Sequence, residues 1–187
     1  MTSFFSLCMM RLYIQFKFLG NASKYGSYHC DPPRLLVESA FEAMKKFVPN
    51  PDFILWTGDN SPHVKNVNTS EVMRHLRFVT KKLNQQYPGI PVIPVLGNHD
   101  SSPADFFPER SPNHLTYYED YITEGSFADF LNVTSRATEQ FKHCGYYVMR
   151  KKTIYENVIQ TFIVLNTALY YHNKAILNMT HLPPGKY

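Results

Sequence analysis

Cysteine is scarce in this chain of 187 residues, with only Cys8, Cys30 and Cys144 present. Three cysteines cannot all pair within one chain, and their wide spacing fits neither a zinc ribbon nor a CxxC redox motif. Charge is also modest, at 18% Asp, Glu, Lys and Arg with a formal net charge of +4. The positive residues are scattered rather than gathered in a block interleaved with aromatics, which argues against a nucleic-acid partner and for a solvated basic surface. No stretch reaches the roughly 18 uncharged apolar residues of a membrane span. Internal repeats, low-complexity tracts and domain linkers are absent as well.

What is present suits one globular domain with a sizeable core, at 44% hydrophobic residues. Asn-X-Ser/Thr sequons at Asn21, Asn68, Asn132 and Asn178 would accept glycans in a secretory pathway. Together with 13 Tyr and 14 Phe, they point to an extracellular or lysosomal protein. The opening segment Met1 to Gly20 reads two ways. It is apolar like a signal peptide, but it lacks an early positive charge and a clean cleavage site, and Arg11 interrupts it. Leu12, Ile14, Phe16 and Phe18 alternate with more polar residues, as in a half-buried strand.

Further along, Asp31 followed by Pro32 and Pro33 marks a helix start, with Leu36, Ala40, Met44 and Phe47 on one face. Phe53 to Trp56 predicts a strand buried on both faces. A second helix is expected from near Ser70 to Gln86, with Val72, Leu76, Val79 and Leu83 inward and Lys81 and Lys82 near its negative end. Pro91 to Leu96 predicts a second strand. Strand, helix, strand in this order argues for a parallel pair whose carboxyl ends carry the polar clusters Gly58-Asp59 and Gly97-Asn98-His99-Asp100. After a proline-rich loop over 101–112, the pattern predicts a helix over 117–131 and strands over 145–150 and 159–166.

Those two clusters carry the chemistry. An aspartate directly after a strand and glycine can bridge two cations, although by itself it equally well caps a turn. The second cluster offers an amide oxygen as a ligand, an imidazole able to meet a phosphate oxygen, and a carboxylate in Asp100 able to orient that imidazole. Together the GD and GNHD motifs resemble the calcineurin-like metallophosphoesterases. Tyr25 to Pro33 (YGSYHCDPP), Phe53 to Asp59 (FILWTGD), Pro62-His63 and Leu165 to Tyr171 (LNTALYY) are similar to the acid sphingomyelinase-like phosphodiesterases within that superfamily.

The resemblance implies an α/β fold: a partial metallophosphoesterase sandwich with a mixed β-sheet and flanking helices over residues 24–187, behind a divergent segment 1–23. It implies two zinc ions, with Asp59 bridging them and Asn98 holding the second. His63 and His99 would lie beside the phosphate and protonate the leaving oxygen. Thr180 to Lys186 resembles the element that supplies a further ligand, here His181, although it arrives early in the sequence. Cys30 matches a cysteine that pairs with an upstream partner in the family, a place that Cys8 could take. His75 and His143 remain structural or surface residues.

Two elements of the family pattern are missing. No Asp precedes Asp31, so there is no Asp-X-His motif at a first strand, and no GHxH motif occurs before Tyr187. A catalytic zinc takes about three protein ligands, so the first metal site is expected to be empty or weak. The expected function is metal-dependent hydrolysis of a phosphodiester small molecule or lipid headgroup, sphingomyelin or a nucleotide-type diester. The alternative is a noncatalytic fragment that binds a phosphate group or a partner.

Overall fold

A computed structural model describes residues 23–28, 30–63, 67–107, 114–131, 135–152 and 158–170. Asn21, Asn132, Asn178, Cys8 and His181, and with them most of the divergent segment 1–23, lie outside these.

Helix α1 (Arg34–Phe47) follows Pro33, whose fixed φ suits the entry to a helix. Strand β1 (Ile54–Trp56) pairs in parallel with β2 (Val92–Pro94), Ile54 opposite Val92 and Trp56 opposite Pro94. Between them runs α2 (Thr69–Gln86). Its start is fixed by a capping box in which Asn68 Oδ1 accepts from Glu71 N at 2.9 Å and the Glu71 carboxylate accepts from Asn68 N. The parallel pair therefore forms as the strand, helix, strand order predicted, and both polar clusters leave the carboxyl ends of their strands.

The chain continues through α3 (His114–Thr123), α4 (Ala128–Leu131) and α5 (Ser135–Cys144) into an antiparallel pair, β3 (Tyr147–Lys152) with β4 (Ile159–Val164). The architecture is thus α/β with flanking helices and both parallel and antiparallel strand pairing, as expected, the described strands forming one parallel and one antiparallel pair. The helix predicted over 117–131 is broken after Thr123, where Gly125 and the positive φ of Ser126 turn the chain.

An aromatic core joins the layers. Trp56 meets Phe127 and Phe130 edge-on, Phe141 packs on Tyr118, Tyr121, Phe127 and Tyr147, and Tyr147 Oη donates to Pro94 O at 2.9 Å. The buried Tyr147 hydroxyl thus reaches a partner, which is why tyrosine is tolerated there.

Three expectations change. On α1 the buried residue is Phe41, with Val37 packed beside it, while Leu36, Met44 and Phe47 face solvent. The helix meets α2 on the side that carries Arg34, which lies over the Phe78 ring, and Glu38. Leu55 is 57% exposed, so β1 buries one side only. Lys82 does not serve the end of α2; it pairs with Glu38 of α1 at 3.1 Å, and no basic residue lies in the last turn.

Candidate metal centre

Both polar clusters need glycine for close approach. A Cβ on Gly58, which has φ +81°, would collide with Gly97 N and an Asp100 oxygen, and a Cβ on Gly97 would collide with Asp59 N. The two strand-end loops thus touch backbone to backbone. Asp59 itself has φ 60°, a left-handed conformation that aspartate accepts more readily than most residues.

Asp100 holds this junction together. It is fully buried, and each carboxylate oxygen accepts two hydrogen bonds: Oδ2 from Asp59 N and Gly97 N, both at 2.9 Å, and Oδ1 from Asn60 N at 2.8 Å and Asn60 Nδ2 at 2.9 Å. Burial pushes its pKa up, and the donors oppose that shift. This corrects the expectation that Asp100 orients the His99 ring, because its carboxylate is committed to Gly97 and the GD loop. Asn60 is in turn held by Trp56, whose indole Nε1 donates to Asn60 Oδ1 at 3.0 Å. Behind the GNHD turn, Tyr121 Oη donates to Asp100 O and lies 3.0 Å from Tyr117 Oη. Burial raises the Tyr121 pKa well above its usual range and pushes Tyr117 up to about 12, so both remain neutral.

On this base stand the candidate site residues. His99 N donates to Asp59 Oδ1 at 3.0 Å, and Asn98 Nδ2 donates to Asp105 Oδ1 at 2.9 Å. Asp105 thereby fixes the amide through its nitrogen and leaves Oδ1 as the atom available to a cation. The His63 and His99 rings lie 4.0 Å apart between centroids, tilted by 51°. A cleft of ≈ 120 Å³ beside His63 is lined by Asp31, Pro32, Asp59, Ser61, His63 and Phe78, among others. Asp59, His63, Asn98 and His99 therefore come together. Cys30 is disulfide-bonded.

A profile of the calcineurin-like phosphoesterases matches residues 34–186. The chain belongs to this family. As a calcineurin-like phosphoesterase it is 38% identical to sphingomyelinase phosphodiesterase C of Dictyostelium discoideum, over 89% of this chain and 35% of that protein. It is 36% identical to acid sphingomyelinase-like phosphodiesterase 3b of Mus musculus, over 82% of this chain and 32% of that protein. To the cyclic GMP-AMP phosphodiesterase SMPDL3A of Homo sapiens it is 30% identical, over 86% of this chain and 34% of that protein. The chain thus spans about a third of the length of these relatives.

Membership of this family implies a divalent metal. The donor chemistry suits such a cation: the Asp59 carboxylate and the Asn98 amide oxygen are hard oxygen ligands on adjoining loops. Among the described residues no three His, Cys, Asp or Glu side chains gather as a metal cage, so these residues do not complete a centre by themselves. No helix among the described residues is long and apolar enough to cross a membrane.

Three supporting residues carry no local sequence signal of their role. Asn60 follows the GD pair directly but belongs to neither motif. Asp105 sits in a proline-rich loop, and Asp31, although it lies in the YGSYHCDPP stretch and at a helix start, shows no sign there of its pairing with His63. Each acts through a contact made by folding.

Proposed function

We propose that this calcineurin-like phosphoesterase acts on phosphodiesters, cleaving the bond between phosphorus and an alcohol oxygen to give a phosphomonoester and an alcohol. The observation that supports this reading is the convergence of His63 and His99, with rings 4.0 Å apart, beside Asp59 at the end of β1. Two imidazoles at one place can deliver a proton to the departing alkoxide, which otherwise leaves as a poor, strongly basic group. Asp59 and Asn98 would hold the cation, zinc in this reading, with His181 as a further ligand. A bound metal pair supplies Lewis acidity toward the phosphoryl oxygens and eases deprotonation of the attacking water.

Substrates follow by analogy with the relatives, as lipid-headgroup diesters of the sphingomyelin type or nucleotide diesters. The sequons at Asn21, Asn68, Asn132 and Asn178 support a glycosylated, secreted or lysosomal protein. Asn68 is exposed and caps α2 through Oδ1, not through the nitrogen that a glycan would occupy.

The alternative is a noncatalytic reading, in which the chain binds a phosphate group or a partner without turnover. One experiment separates the two: zinc content and bis-p-nitrophenyl phosphate hydrolysis by the purified chain, beside Asp59→Ala and His99→Ala. The hydrolase reading expects about two zinc ions per chain and turnover lost in both variants. Folded protein with little zinc and no turnover would establish the noncatalytic one.

A further inference from the structure

Asp31 and His63 lie 32 residues apart in sequence yet make two hydrogen bonds. Asp31 Oδ1 is 2.8 Å from His63 Nδ1, and Asp31 Oδ2 accepts from His63 N at 3.0 Å. Asp31 is itself held between the disulfide-bonded Cys30 and Pro32. Proline restricts the residue before it, and the disulfide ties the residue on its other side. A carboxylate gripping both the backbone and the ring of one residue constrains where that ring sits and how it is turned.

We infer that Asp31 is a positioning residue that fixes the tautomer of His63, keeping a proton on Nδ1 and making Nε2 the nitrogen that exchanges protons with a phosphodiester. An ionised carboxylate only accepts hydrogen bonds, so the ring nitrogen facing it must be the donor. The neutral imidazole then has Nε2 as its bare nitrogen. Asp100 cannot perform this service for either histidine, since both its oxygens are occupied by the loop junction. The role assigned to His63 rests on the phosphodiesterase reading, whereas the tautomer itself does not.

The two oxygens of Asp31 make Asp31→Asn informative. The His63 backbone N–H can only donate, so the amide oxygen must face it. The amide NH₂ group is then turned toward Nδ1, which must become an acceptor, and the neutral ring carries its proton on Nε2 instead. The test is the long-range ¹H–¹⁵N spectrum of the histidine rings in the full chain at about pH 9, above the ordinary imidazole range, with His63 assigned from the signals lost in His63→Gln. We expect Nδ1 protonated in the wild type and the pattern inverted in Asp31→Asn. A wild-type His63 protonated on Nε2 would overturn the inference even if the variant does not fold. An unchanged tautomer in a variant whose backbone amide spectrum matches the wild type would overturn it too. Because no turnover is read, absence of hydrolysis would count against the phosphodiesterase reading and leave the Asp31 result standing.

Discussion

Asp100 and His75 show how much rests on single buried polar groups. Each Asp100 oxygen accepts from two donors, so in Asp100→Asn the new NH₂ group faces two donors whichever way the amide turns. Leaving buried donors unmet costs about 1–3 kcal/mol each, so a loss of roughly 2–4 kcal/mol is expected in urea unfolding. His75 is buried on α2 beside Arg74, and burial first, then the Arg74 charge, lowers its pKa, with Glu71 opposing. As pH falls through about 6.5 the unfolded chain takes up this proton before the folded one does. Stability from His75 is therefore kept above that value and lost below it. Thermal unfolding at about pH 7.5 and 5.5 should show a larger acid loss in the wild type than in His75→Gln. The site motifs could be read from the sequence because they are contiguous: GD and GNHD each span four residues or fewer. The duty of Asp100 could not, since its partners Asp59 and Asn60 lie about 40 residues away.

Among the elements, those bounded by local chemistry were easiest to foresee. The second helix was expected from near Ser70 and begins at Thr69, because Asn68 and Glu71 make a reciprocal cap. The direction in which an element faces depends on what packs against it, which periodicity does not record. Helix α1 has an apolar stripe through Leu36, Met44 and Phe47, yet Phe41 is the residue buried. Strand β1 reads as a continuous apolar run, yet Leu55 lies outside the core. This contrast predicts unequal costs for one chemical change. Leu76→Ala, at a site with 0% exposure, should cost about 2–5 kcal/mol. Leu55→Ala should cost within about 0.5 kcal/mol, as surface substitutions do. Paired denaturation curves would show a shifted midpoint for the first and overlapping midpoints with wild type for the second.

For the whole molecule, the family, its α/β class and the parallel strand pair are visible in the sequence, while the contacts that bring the two strand pairs together are not. What joins the two pairs is side-chain packing: Phe53 on Phe162 at 5.0 Å, and Tyr147 Oη on Pro94 O. Such tertiary contacts leave no local periodic signature. Relatives about two and a half times as long match most of this chain. The chain's single tryptophan belongs to the strand-end junction built on Asp100, 8% exposed, stacked edge-on against Phe127 and Phe130, and bonded through its indole to Asn60, next to Asp59. All tryptophan emission therefore originates one residue contact from the proposed cation ligand. Titrating zinc into the chain should change that emission, and the change should vanish in Asp59→Ala, giving an optical readout of occupancy with no label attached.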